Sequence, residues 1–272
     1  MNAPVSAGPW ENPVTARLRQ GLPVVGLTIT VNCVEVAALG ASMGFDFLWV
    51  EMEHSPVSLE TLRQIVLATR GSRAVPFARV PVNEVWTAKR VLDMGVSGVV
   101  FPFTSTPELA NQASQACRYP PTGCRGSGPV LAMTSWPERA GYHDSADRNV
   151  LVVTVIEQEC AVDCVEQIAA TPGIDVLFIG TSDLSFSLGL RGAQDHPRLH
   201  AAIAKVVAAG KKHGKFLGLP LRDPKRIEEH IRQGFLFFQA TTELGLMEAG
   251  ARQLFAAVEQ PAEVEPSSTP HT

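Results

Sequence analysis

Short apolar runs recur along the chain and alternate with helical patterns. They are Val24–Thr30, Phe47–Glu51, Val75–Arg79, Gly98–Pro102, Val150–Ile156, Asp175–Gly180, Lys215–Leu219 and Phe235–Ala240. Continuous runs rich in Val, Ile, Leu and Phe predict strands buried on both faces, as in a parallel sheet. Between them, Leu59–Arg70 repeats apolar residues at Leu59, Leu62, Ile65, Val66 and Thr69 behind Ser58, a candidate N-cap. Val85–Met94, Pro107–Cys117, Val162–Ala170, His200–His213, Pro224–Gln233 and Leu244–Val258 carry similar patterns and predict helices. Asp93-Met-Gly95, Thr171-Pro-Gly173, His213-Gly214 and Gln233-Gly234 mark helix ends.

Eight strands with helices between them predict the α/β class and a single-domain (β/α)₈ TIM barrel over residues 21–259. An open doubly wound sheet is the rival. Residues 1–20 read as a polar lead-in, and residues 260–272, rich in Pro, Ser, Thr and Glu, as a disordered tail. The connection 119–149 is unusually long for a compact domain and holds Pro120, Pro121, Gly123, Gly126, Gly128, Pro129 and Pro137.

Composition narrows the function classes. The chain has 272 residues, 45% apolar types and a formal charge of −4, which excludes a wholly disordered protein. No apolar run approaches the roughly 18 residues of a membrane span, and the first 20 residues lack a secretory apolar region. Mild acidity without a basic stripe predicts no nucleic-acid partner. The odd count of five cysteines (Cys33, Cys117, Cys124, Cys160, Cys164) is no disulfide framework, and their spacing predicts no zinc site. The reducing cytosol is the expected compartment.

A barrel places its chemistry at the C-terminal ends of its strands. The second predicted strand ends in Glu51-Met-Glu53-His54, the third in Arg79, the fifth is followed by Glu157, and the sixth by Gly180-Thr-Ser-Asp183. Glu157 and Asp183 could share a hard divalent ion such as Mg²⁺ or Mn²⁺, or serve only as a helix cap and an Asx turn. His54 suits a general base, or a loop histidine bonded to a carbonyl. Glu51 and Glu53 are expected not both to face inward, one near the metal site and the other anchoring a turn. Arg79 suits a carboxylate or a developing oxyanion, or a structural ion pair with Glu51 or Glu53. Asp93 lies near a helix C-terminus, where the dipole disfavours an anion, so it needs a cation such as Lys89 or Arg90, or another reason. Gly180–Ser185 resembles a helix start able to hold a carboxylate or phosphate. Neither a P-loop nor a Rossmann glycine motif is present, so nucleotides are not expected. His196 and His200 stand four apart, but no Glu follows His196 as in a zinc-protease helix.

These residues together resemble the HpcH/HpaI aldolases, the metal-dependent class II pyruvate aldolases. The resemblance runs from about Val24 to Leu254. It is strongest at Phe45-Asp-Phe-Leu-Trp-Val-Glu-Met-Glu-His54, Arg118-Tyr-Pro-Pro-Thr-Gly-Cys-Arg-Gly126 and Phe178-Ile-Gly-Thr-Ser-Asp-Leu-Ser185. It implies a (β/α)₈ barrel, a homohexamer built as a trimer of dimers, and a last helix exchanged between partners. It implies Glu157 and Asp183 as ligands of Mg²⁺, Mn²⁺ or Co²⁺, His54 as base, and Arg79 as the group that steadies a pyruvate enolate. Asp93 would orient the histidine of a neighbouring subunit, and the Gly180, Thr181 and Ser182 backbone would receive the substrate carboxylate. Glu51 and Glu53 would support the metal site. Two positions depart from the family: Glu51-Met52-Glu53-His54 replaces a common Asp-Gly-Glu-His, and Val155 replaces a frequent Gln two residues before the metal-binding Glu.

The reaction so implied is reversible C3–C4 cleavage of a 4-hydroxy-2-oxo acid to pyruvate, or a related 2-oxo acid, and an aldehyde. No lysine ends the rim strands considered, and Lys89 falls mid-helix, against a Schiff-base aldolase. The alternatives are a lyase of CoA thioesters like citrate lyase β or malyl-CoA lyase, and a non-catalytic barrel.

Overall fold

The eight apolar runs form eight parallel strands: β1 (Val24–Ile29), β2 (Phe47–Glu51), β3 (Val75–Arg79), β4 (Gly98–Phe101), β5 (Leu151–Ile156), β6 (Val176–Ile179), β7 (Phe216–Pro220) and β8 (Phe235–Thr242). The coordinates are a computed structural model, and the structure describes residues 10–137 and 139–259. The strands follow chain order, and β1 pairs with β8, with Val24 opposite Phe237. The sheet is therefore a closed barrel and not the open alternative. Closure leaves no free strand edge and buries both faces of every strand, which is why the runs are continuous and not alternating.

The interior face holds a stack of aromatic rings. Phe47 stacks on Phe237 with centroids 4.5 Å apart and leans on Phe77 at 5.1 Å, and Trp49 meets Phe178 at 5.0 Å. Two glycines make room for them. A Cβ on Gly98 would come 2.6 Å from the Phe77 ring, and one on Gly26 would collide with Phe47. The outer faces of the strands pack Val, Ile and Leu against the helices.

The predicted lead-in holds a helix, α1 (Pro13–Arg19), which sends Val14 and Leu18 into the interior cluster of the barrel. Asn12 caps it and is buried. Its side chain accepts from Val14 N (3.0 Å) and donates to Ser97 O (3.0 Å) and Asn149 O (2.9 Å), tying α1 to two barrel strands' approaches. Residues 1–9 and the predicted tail 260–272 lie outside the described residues.

The surrounding helices are α2 (Val34–Ser42), α3 (Leu59–Ala68), α4 (Val85–Met94), α5 (Pro107–Ala116), α6 (Tyr142–Asn149), α7 (Glu159–Asp163), α8 (Val165–Ala170), α9 (Thr181–Ser187), α10 (Pro197–Lys212), α11 (Ile227–Gln233) and α12 (Glu243–Glu259). Ser58 caps α3 as expected, accepting from Thr61 N. The expected helix over 162–170 is two short ones broken at Cys164. The alanine-rich α2 was not anticipated, having too few large apolar residues for a clear periodicity. The long 119–149 connection is ordered by a 3₁₀ turn at Ala132–Thr134 and by α6. Along α12, Leu244, Met247, Leu254, Phe255 and Val258 are exposed. Among the described residues no helix is long and apolar enough to cross a membrane.

Candidate active site

Parallel register carries Glu51 of β2 opposite Arg79 of β3, both at the C-terminal rim. Glu51 is buried, and its two oxygens are fully engaged. Oε1 accepts from Glu53 N (2.8 Å) and His54 N (3.1 Å), while Oε2 accepts from Trp49 Nε1 (3.2 Å) and Arg79 Nη1 (3.3 Å). Ser55 Oγ closes the turn onto Glu51 O. Glu51 thus folds the chain back at the strand end and presents Glu53 and His54. Glu53 pairs with Arg79 Nη2, and His54 Nε2 stands 3.6 Å from Glu53 Oε2 on an exposed ring. Glu51 and Glu53 therefore both reach Arg79, against expectation. The strand stops at Glu51, and the turn closed by Glu51 Oε1 brings Glu53 back onto the same arginine.

Glu157 follows β5 and is 1% exposed. It is not a helix cap, because Gln158 holds that place in α7. Its Oε1 accepts from Phe103 N (2.6 Å), and its Oε2 lies 3.7 Å from Arg79 Nη2. Gly180 lets β6 end close beside it, since a Cβ there would lie 2.8 Å from Glu157 Cβ and 3.1 Å from Oε2. Asp183 sits in the first turn of α9, where the helix dipole favours an anion. Among the described residues its carboxylate accepts no hydrogen bond.

Three carboxylates, Glu51, Glu53 and Glu157, contact the Arg79 guanidinium, and Asp183 adds a fourth negative charge to the cluster. Burial pushes Glu53 up to about 7, with Glu51 and Asp183 adding to the rise and Arg79 opposing it. Burial also pushes Glu157 up to about 7, against the Phe103 N–H and Arg79, with Glu53 and Asp183 adding. Such a cluster gains from a cation. Among the described residues no group of three or more His, Cys, Asp or Glu forms a preformed metal cage. The donor set instead fits a hard divalent ion held by two carboxylates and completed by water or ligand oxygens. Glu157 Oε2 and the Asp183 carboxylate could supply two of its oxygens.

A cavity of about 520 Å³ opens here, within the usual range for small-molecule sites. Arg79, Glu157, Gly180, Thr181, Ser182 and Asp183 all line it. Thr28, Trp49, Arg222 and Gln239 line it too and were missed. Extending the strand-end inspection to β7 and β8 would have found Arg222 and Gln239.

A family model described as HpcH/HpaI aldolase/citrate lyase matches residues 30–249. The chain belongs to that family. It is 34% identical over 223 residues to 5-keto-4-deoxy-D-glucarate aldolase from Klebsiella pneumoniae, covering 82% of this chain and 87% of that one. It is 33% identical over 264 residues to hydroxypyruvate/pyruvate aldolase from Cupriavidus necator, covering 96% and 98%. The solved structure of an HpcH/HpaI aldolase/citrate lyase family protein from Burkholderia cenocepacia J2315 matches with a TM-score of 0.85 at 32% identity, over 92% of this chain and 100% of that one. The protein is an aldolase, a carbon–carbon lyase, of a family that generally works with a divalent metal.

Within this HpcH/HpaI barrel the two departures separate. Val155 lines the cavity, whereas Met52 packs into the layer beneath the helices. Asp93 lies elsewhere, at the C-terminal end of α4, which a barrel helix places at the face opposite the rim. Its cation is neither Lys89 nor Arg90 but Arg125 of the long connection, 3.1 Å away. Arg125 is fully buried, lies over the Tyr119 ring at 4.6 Å and donates to Tyr142 Oη at 3.2 Å. That pairing explains an acid at an unfavourable helix end, and within one chain Asp93 does not meet His54. His196 and His200 form no pair: His196 caps α10 and His200 bonds to Gln194 O.

Proposed function

We infer that this aldolase reversibly cleaves the C3–C4 bond of a 4-hydroxy-2-oxo acid, giving pyruvate or a related 2-oxo acid and an aldehyde. The convergence of Arg79, Glu157, Asp183 and the first turn of α9 on one rim cavity carries this reading. Glu157 and Asp183 would hold the divalent ion (Mg²⁺, Mn²⁺ or Co²⁺), which when bound supplies Lewis acidity toward the ketone oxygen.

The chain's own groups do the rest. Gly180 N donates to Ile156 O, and the first-turn N–H groups of Thr181 and Ser182 beside it receive the substrate carboxylate. Arg79, fixed by Glu51 and Glu53, aims its charge where the enolate oxygen develops. His54, with Glu53 behind it, takes the C4 hydroxyl proton directly or through water as the bond breaks. Trp49, Val155 and Phe178 give the cavity an apolar wall that limits water around the enolate.

The exposed apolar residues of α12, and the separation of Asp93 from His54 in one chain, support a homo-oligomer. A hexamer with exchanged last helices and Asp93 delivered to a neighbour's His54 accounts for both. The cytosol is the compartment that suits its free thiols.

The test is exchange of pyruvate methyl protons in D₂O, followed by NMR. Exchange should require Mg²⁺, Mn²⁺ or Co²⁺, stop with EDTA, and be lost in Glu157→Gln with the fold retained by circular dichroism. No exchange with any of the three ions would overturn the reading.

A further inference from the structure

One turn of the rim is held in a conformation that its side chain resists. Phe103, the second residue after β4, has φ +46°. Among the described residues only Phe103 and Arg191 take a positive φ without being glycine. A bulky side chain makes that conformation costly, and it persists only where surrounding contacts impose it. The ring does not impose it, being 43% exposed. Polar contacts do. Ser105 Oγ donates to Phe103 O at 3.1 Å. Thr104 is fully buried and donates through Oγ1 to Phe101 O (3.1 Å) and through N to Val155 O (3.3 Å). Val155 lies in β5, the strand that Glu157 follows, so the turn is keyed to the element that carries Glu157.

The strained turn delivers one N–H. Phe103 N donates to Glu157 Oε1 at 2.6 Å. On its other side Glu157 is confined by Gly180, where a Cβ would lie 2.8 Å from Glu157 Cβ. The carboxylate is thus held with Oε1 on the backbone and Oε2 toward Arg79 Nη2, 3.7 Å away. Because φ sets how that N–H is oriented against the pinned chain after it, relaxing φ moves the donor off Glu157. Hard ions sense such a difference. Ca²⁺ takes about six to eight oxygens and accepts both oxygens of one carboxylate, whereas Mg²⁺ demands an octahedron and keeps several waters.

We propose that Phe103 is a positioning residue that acts through its backbone: its N–H occupies Glu157 Oε1, makes Glu157 a one-oxygen ligand, and so gives the site a preference for Mg²⁺ over Ca²⁺. This rests on the reading of Glu157 and Asp183 as metal ligands and extends it from the donor set to ion selectivity.

The experiment uses the full chain, stripped with EDTA and dialysed, with Mn²⁺ as the probe. Free Mn²⁺ is read by EPR while Mg²⁺ or Ca²⁺ displaces the bound ion, and the readout is the ratio of Kd for Ca²⁺ to Kd for Mg²⁺. It needs no turnover, and general damage to the site weakens both ions and leaves the ratio alone. The ratio should exceed one in the wild type. Phe103→Gly and Phe103→Pro both delete the ring, but glycine keeps the N–H and takes positive φ freely, whereas proline has neither. The ratio should hold in Phe103→Gly and fall about 10-fold in Phe103→Pro, the lower end of the usual cost of losing a group that orients a metal ligand. If circular dichroism shows Phe103→Pro unfolded, Phe103→Val replaces it, since a β-branch opposes positive φ, and the ratio should fall in the same direction. A wild-type ratio of one or less overturns the proposal. So does an unchanged ratio in the folded proline or valine variant. An equal fall in Phe103→Gly overturns it too, because the ring and not the N–H would then set the preference. Failure of the metal-ligand reading shows separately, as no Mn²⁺ bound by the wild type or undiminished Mn²⁺ binding in Glu157→Gln.

Discussion

Arg79 organises the site because its guanidinium is shared among three carboxylates in fixed directions. Lysine at that position keeps the charge but offers a point and not a fork. Arg79→Lys should therefore fold normally and lose about 10²–10³ in turnover, the usual cost of removing one oxyanion-stabilising donor. Near-wild-type kcat in steady-state cleavage assays would remove Arg79 from that role. Glu51 shows the limit of reading residues singly. Its type and place suggested a neighbour of the metal, whereas one of its oxygens holds the turn that presents Glu53 and His54 and the other holds Trp49 and Arg79.

At the scale of elements, the barrel interior depends on large rings facing small residues. Gly98 on β4 faces the Phe77 ring, which is boxed in by Phe47 and Phe237 and has nowhere to move. Gly98→Ala should destabilise the fold. Overpacking costs about 1–3 kcal/mol, more than the roughly 0.4–1 kcal/mol gained by stiffening the unfolded chain. A urea titration should show a lower midpoint at unchanged slope, and an unchanged midpoint would mean that the ring stack yields. The strands were legible because burial on both faces writes a continuous apolar run. The short α1 was not, because Pro13–Arg19 shows only Val14 and Leu18 as apolar signals, and their value comes from the barrel mouth they fill.

At the scale of the molecule, the acidic rim couples stability to pH. Glu53 and Glu157 both bind their protons more tightly folded, near pH 7, than at the ordinary 4.5. The native state is therefore the more protonated between those values, and stability must fall as pH rises through that window and level off above it. Melting of the metal-free protein should show Tm decreasing from pH 5 to pH 8. Mg²⁺ held by these carboxylates in their charged form would stabilise the protein more at pH 8 than at pH 6. A Mg²⁺ effect equal at both pH values would argue against an ion held by these carboxylates.

The sequence by itself determined the barrel, the rim on which chemistry collects, and the identity of Glu157, Asp183, Arg79 and His54 as its candidates. These follow from local rules: apolar runs make buried strands, and residues ending parallel strands share one face. Only the tertiary structure decided which groups those residues meet. Arg125 reaches Asp93 across 32 positions, Glu51 and Glu53 converge on an arginine of the next strand, and Arg222, among the described residues, lines the cavity bonded to Ser182 and to no carboxylate. Such partnerships join segments distant in sequence, and only packing in the closed barrel brings them together.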